Sequence, residues 1–141
     1  MRDKVFIDTN LLIYIFSDND ADSYKKQKVI DILKNHNCVV STQVLNELCN
    51  VFTRKLKIPV SDVRRAIAHI SKICTVITVE PNFVSSALTL HENYKFSYFD
   101  CLMITAAIQS GCTYLVTEDM HSGQNIDNLK IINIFNKDSE I

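Results

Sequence analysis

The sequence predicts an α/β fold of three layers (α/β/α), with helices on both faces of a mostly parallel, five-stranded sheet. Three observations carry that expectation. Five short apolar runs alternate along the chain with longer stretches of helical periodicity. The short runs are apolar at nearly every position, as strands covered on both faces are. The chain has 141 residues with only two glycines and two prolines, so it is near the size of one domain (1–141) and too poor in breakers for a loop-rich fold.

The elements follow in order. Residues 4–8, KVFID, are a first strand ending in a polar turn, and residues 10–16 continue as one or two helical turns. Residues 22–35 set Val29, Ile30 and Leu33 against many lysines, an amphipathic helix. Residues 38–41 are a second strand. Thr42 is placed to cap a helix running to about Lys55, with Val44, Leu45, Leu48, Val51 and Phe52 on one face. Pro59 ends that stretch, and Ser61 can cap another helix to about Cys74. TVITV at 75–79 is the third strand, and Pro81 suits the first turn of a helix reaching about Asn93. Ser97 opens a helix apolar nearly all round, which runs to Ser110 and is ended by Gly111. YLVT at 114–117 and KIINIF at 130–135 complete the five strands.

Composition narrows the function classes. Fifteen basic and sixteen acidic residues give a net charge of -1, so any contact with nucleic acid must use local patches. The five cysteines, at 38, 49, 74, 101 and 112, are odd in number and show no C-x-x-C spacing. They predict reduced core thiols rather than a disulfide framework or a zinc knuckle. The apolar start is interrupted by Asp8 and Asn10, and no run reaches ~18 apolar residues, so a cytoplasmic protein without a membrane span is expected.

Against this ordinary background four carboxylates stand out. Asp8 ends the first strand, and Asp119 lies two residues beyond the apolar end of YLVT, so both belong to one rim of the sheet. Ligands of open α/β sheets bind beyond that rim. Asp100 is the fourth residue of Ser97-Tyr-Phe-Asp, in a first helical turn. Glu47 falls on the apolar stripe of its helix, where a carboxylate needs a partner. Taken singly, Asp100 could complete the Ser97 cap, Asp119 could be a turn residue, and Glu47 could face water. Taken jointly, the four have no structural reason to converge. Two carboxylates ~5 Å apart repel by roughly 3 kcal/mol at an effective dielectric of ~20. Four would need divalent cations, and all-oxygen ligands suit Mg2+ or Mn2+ rather than zinc. Such an ion activates water and stabilises charge on a phosphodiester under in-line attack, so these groups fit phosphodiester hydrolysis.

The motifs Val-Phe-Ile-Asp8-Thr9-Asn10, Leu-Asn-Glu47-Leu, Ser97-Tyr-Phe-Asp100 and Leu-Val-Thr117-Glu118-Asp119 follow the order found in PIN-domain nucleases. The chain resembles that family over essentially its whole length, and the stretch 123–135 is similar to a bacterial subset of it. Size and layout are similar to VapC-type toxins of toxin–antitoxin pairs. The resemblance implies a metal-dependent endoribonuclease with strand order 3-2-1-4-5, an RNA substrate, an antitoxin partner and a homodimer. By position, it implies Asp8, Glu47, Asp100 and Asp119 as catalytic and metal-binding acids. Asn10 and Thr117 match polar partners that orient carboxylates or water. Glu118 departs from the polar residue common there, and could add an outer ligand.

Other features carry less. The clusters Lys25, Lys26 and Lys28, Arg54, Lys55 and Lys57, and Arg64 and Arg65 read as solvated faces, or as guides for phosphates if they border the acidic rim. Tyr94, Tyr98 and Phe99 could stack an unpaired base or simply pack. Of the histidines at 36, 69, 91 and 121, only His121 falls near the proposed acids. A dehalogenase-like phosphatase would need an Asp where Asn10 stands, and a receiver domain needs a lysine that 131–135 does not supply. A non-catalytic module of the same fold, binding RNA or protein, is the alternative.

Overall fold

The computed structural model describes residues 3–120, 122–136 and 141. Its centre is a strand, β1 (Lys4–Ile7), paired in parallel with β2 (Asn37–Ser41) on one side and β4 (Tyr114–Val116) on the other. Val5, Phe6 and Ile7 are fully buried, which is why the run is apolar at successive positions and not at alternate ones. β3 (Thr75–Ile77) extends the sheet beyond β2, and β6 (Leu129–Ile132) extends it beyond β4, both in parallel. The five expected strands thus take the order 3-2-1-4-5 that the resemblance implied.

A sixth strand, β5 (Asn125–Ile126), pairs antiparallel with β6 and makes the outer edge, giving the order β3-β2-β1-β4-β6-β5. It is two residues long, too short to leave a periodic trace. The link to β6 is Asp127-Asn128, and Asp127 takes a φ of 51°, a conformation that Asp tolerates better than most residues. β6 also ends at Ile132 and not at 135.

The helices are α1 (Thr9–Tyr14), α2 (Ser23–Asn35), α3 (Thr42–Asn50), α4 (Val60–Ile73), α5 (Pro81–Asn93) and α6 (Tyr98–Gln109). Two expected caps move by a residue or two. Ser41, and not Thr42, caps α3, its Oγ accepting from the Val44 N–H at 3.4 Å. The Thr42 hydroxyl instead accepts from the Val79 N–H at 3.1 Å, fastening α3 to the end of β3. α4 starts at Val60, and the Pro59 carbonyl, with no help from Ser61, receives the Asp62 and Val63 N–H groups. α3 stops at Asn50 and the chain continues as a π-helical turn, Val51–Lys55, closed by Lys57 at a φ of 52°. Such turns are rare and insert extra chain into a helix.

α6 is the buried helix of the fold. Seven consecutive residues, Cys101 to Ala107, are buried, so no amphipathic stripe exists. α6 packs on β2, β4 and α5, and Ser97 caps it by accepting the Asp100 N–H at 3.2 Å. All five cysteines are free, and four are buried. Burial pushes the Cys38 thiol up to about 12 and the Cys74 thiol to about 11. No helix among the described residues is long and apolar enough to cross a membrane.

Two outcomes are expected. Ile104→Ala empties a fully buried site in α6 and should cost about 2–5 kcal/mol in a urea melt. At pH 8 the native protein should leave Cys38 and Cys74 unreacted toward a thiol reagent that modifies both rapidly after unfolding, because thiolate is the reactive form.

Candidate functional site

Strand order reverses at β1: the chain first builds outward through β2 and β3, then returns to β4 on the other side. That switch point opens a crevice beyond the carboxyl ends of β1 and β4. Asp8 is the residue that follows β1, and its backbone N–H donates to the Val116 carbonyl at 3.1 Å, tying the ends of the two strands. The Asp8 side chain is only 6% exposed. Thr117, fully buried, donates its hydroxyl to Asp8 Oδ2 at 2.7 Å. The same hydroxyl accepts from the Asp119 N–H at 3.2 Å, so Thr117 fixes one acid by its side chain and the other by its backbone. Asn10, in the first turn of α1, donates its amide to Asp119 Oδ2.

Glu47 arrives from α3 and Asp100 from the first turn of α6. Glu47 is half-buried, and its Oε1 is buried with no hydrogen-bond partner. The acids share one electrostatic environment. Burial raises the Asp8 carboxyl above its ordinary range, and the charges of Asp119 and Asp100 add to this, while Thr117 and the Thr9 backbone offset part of it. Glu47 is raised by burial, then by Asp8 and Asp100, with Gln43 and Thr9 beside it easing the effect. Asp100 is raised by burial and by Asp119, against the Ser97 hydroxyl. Neither ion pair found among the described residues, Lys25–Glu118 or Arg65–Asp62, includes any of the four. Nor do any three His, Cys, Asp or Glu side chains among the described residues stand close enough to hold one ion as they are.

Two cavities flank the acids. One of about 600 Å3 lies between α3 and α6 and reaches Glu47. The other, of about 560 Å3, is lined by Tyr94, Lys95, Ser97 and Gln124 and reaches Asp100 and Asp119.

Several residues singled out in the sequence have partners away from the crevice. Glu118 turns toward α1 and α2, where Tyr14 of α1 donates to Oε1 at 2.6 Å and Lys25 of α2 pairs with the other oxygen, so both oxygens are engaged. Lys26 and Lys28 donate to the Ser17 and Ile134 carbonyls. Arg54, Lys55, Lys57 and Arg64 are exposed. His121 lies outside the described residues. Gln43 escaped notice in the sequence, although it stands one helical turn before Glu47. It is 9% exposed and its Nε2 donates to the Phe99 carbonyl at 3.0 Å, joining α3 to α6.

A mostly parallel sheet between two helical layers, with one buried acid, two half-buried ones and an exposed one gathered at its switch point, defines an α/β domain with an acidic, oxygen-donor site. The chain belongs to the PIN domain family, whose model matches residues 5–122. Among solved structures it is similar to a toxin–antitoxin complex from Klebsiella pneumoniae, at 18% identity and a TM-score of 0.67, covering 89% of this chain and 94% of that one. It is also similar to VapBC2 from Rickettsia felis bound to a DNA fragment from their promoter, at 19% identity, a TM-score of 0.65 and coverage of 91% and 96%. A third likeness is to VapC20 of Mycobacterium tuberculosis, a sarcin-ricin loop cleaving toxin, at 16% identity, a TM-score of 0.58 and coverage of 79% and 86%. No curated protein matches the sequence significantly.

The raised carboxyls give a stability prediction with a definite sign. A carboxyl whose folded-state pKa lies above its unfolded value, near 4, holds more protons folded than unfolded through that interval, so stability falls as pH rises across it. In EDTA, Asp8→Asn should melt a few degrees above the native protein at pH 7, and the gap should close toward pH 4. A gap independent of pH in thermal melts would show that the Asp8 charge is not under strain.

Proposed function

We propose that this chain is a metal-dependent endoribonuclease, with Asp8, Glu47, Asp100 and Asp119 as the acids that hold Mg2+ or Mn2+. The observation that carries this reading is the gathering of acids at one rim, with Asp8, Glu47 and Asp100 raised by burial and by the acids around them, and with the Glu47 Oε1 left without a partner. An all-oxygen, anionic donor set fits a hard divalent cation, and such a cation would relieve the repulsion that the fold otherwise sustains. Asp119 is exposed and Asp100 half-buried, so both side chains have solvent-accessible room to turn toward an ion beside Asp8.

A divalent ion bound there supplies a Lewis acid that polarises a phosphodiester and makes water a stronger acid. The chain's own groups do the rest. Thr117 fixes the Asp8 carboxylate by donating to Oδ2, and Asn10 fixes that of Asp119 by donating to its Oδ2. The buried end of β1 keeps bulk water from Asp8. The membership of the PIN domain family supports nuclease chemistry, and the likeness to toxin–antitoxin assemblies supports a toxin silenced by a protein antitoxin. A cytoplasmic setting, expected from the sequence, and a homodimer, implied by the family resemblance, belong to the same proposal. A non-catalytic RNA- or protein-binding module is the second reading, favoured by the open spacing of the acids.

With a mixed pool of single-stranded and transfer RNA, cleavage should require Mn2+ or Mg2+ and stop in EDTA. Asp8→Asn and Asp100→Asn should lose more than about a hundredfold in rate, and Thr117→Val about 10–100-fold, as loss of an orienting partner does. Activity should rise with pH as the raised carboxyls lose their protons to make room for metal. Equal cleavage by native and Asp8→Asn proteins would sink the assignment, and calorimetry showing no Mn2+ binding, together with no cleavage, would favour the module.

A further inference from the structure

The cavity between α3 and α6 has a composition that the acids alone do not explain. Beside Glu47 its polar lining comes from neutral groups, chiefly the carboxamides of Gln43, Asn46 and Asn50, and Val79, Phe99 and Leu102 supply its apolar wall. Asn46 and Asn50 are one helical turn apart on α3 and both are exposed. Phe99 is 65% exposed although it sits beside Asp100 in the first turn of α6. An exposed ring of that size, held in place, invites a flat partner. Tyr98 packs on the ring with centroids 5.4 Å apart and planes inclined by 68°, and the Gln43 amide fixes the backbone that carries it by donating to the Phe99 carbonyl. The cavity is therefore built before any ligand arrives, and a preformed site gains affinity from that.

We propose that this cavity seats one unpaired nucleobase of single-stranded RNA, stacked on Phe99 and hydrogen-bonded by Asn46 and Asn50, in the nucleotide next to the phosphodiester that is cut. The proposal rests on the nuclease reading and extends it to the substrate. At about 600 Å3 the cavity is the size of pockets that take small planar ligands. Glu47 forms part of its wall, so a base inside it places the adjoining phosphate over the acids. Carboxamides both donate and accept, as the edge of a base requires, and their neutrality adds no repulsion toward the backbone. From Glu47 the chain leads, over about 10 Å at the usual rise per residue, to exposed Arg54 and Lys55 in the π-helical turn, with exposed Lys57 just beyond it, where the next phosphates can be met. A protein side chain could fill the hole, but it would make no use of that cationic end.

The probe is a fluorescein-labelled single-stranded RNA with one cleavage site, in which each nucleotide in turn is made abasic. It is given in Mn2+ to the native protein, to Phe99→Leu and to Asn46→Ala with Asn50→Ala. The three substitutions lie at side chains exposed to solvent, and Phe99→Leu keeps the backbone carbonyl that Gln43 grips, so folding should survive and thermal melts check it. One abasic position, beside the cut, should raise KM of the native protein roughly tenfold to a hundredfold, the range for losing one stacked base. Phe99→Leu should show a raised KM on the intact RNA and almost no further loss at that position. Anisotropy with Asp8→Asn, which does not depend on cleavage, should give the same pattern in affinity. If the native protein cleaves but Phe99→Leu and the abasic scan leave KM unchanged, the base pocket is wrong, the nuclease reading stands, and a protein partner becomes the occupant to test. If RNA binds with the abasic pattern but is never cut, the pocket stands and the nuclease reading falls.

Discussion

The burial of β1 on both faces and on both edges is the constraint from which the rest of the structure follows. A strand with neighbours on either side must be apolar throughout, and Val5, Phe6 and Ile7 are. The first residue that can be charged is the one just past its end. Because the chain turns outward through β2 and β3 and later returns to β4, that residue stands where the two halves of the sheet part. Asp8 is therefore in the crevice as a consequence of topology, and Thr117, at the matching end of β4, is the group that can reach it.

Holding Asp8 there has an energetic cost that the fold bears. A carboxylate 6% exposed, with two other acids close by, would be more stable protonated or replaced. Groups so displaced from their ordinary pKa cluster at functional sites, though ion-pair networks also displace them. Here the ion-pair explanation fails, since the two ion pairs among the described residues lie elsewhere. The Lys25–Glu118 pair is instructive in this respect. It anchors the loop after β4, between Thr117 and Asp119, to α2, and by taking Glu118 outward it keeps a further negative charge away from the crevice.

Likeness at 16–19% identity over most of the chain shows how little of the sequence the sheet requires. Apolar residues of suitable size are interchangeable in such a core, whereas the chemistry resides in a few side chains grafted on it. Much of the difference between relatives should then lie in the walls of the crevice. In this chain those walls are carboxamides and an exposed phenyl ring toward α3, and Lys95, Gln124 and Tyr94 toward the other side.

The sequence by itself determined the five parallel strands, the helices between them and the acids at the rim. Apolar runs and helical periodicity are local signals, and Asp8, Asp100 and Asp119 each adjoin one. It also marked Glu47 as misplaced on an apolar stripe, and the buried, unpartnered Oε1 is the form that misplacement takes. Only the tertiary structure decided which polar groups serve which. Ser41 and Thr42 are equivalent as caps on paper, and the position of Val79 selects between them. Glu118 and Asp119 are adjacent acids, yet one faces α2 and the other the crevice, because Lys25 and Tyr14 converge from segments about a hundred residues away. The two-residue β5 exists only because β6 offers it an edge. Gln43, which joins α3 to α6 through the Phe99 carbonyl, has no local signature at all. Such contacts depend on distances between segments remote in sequence, which no local pattern of hydrophobicity encodes.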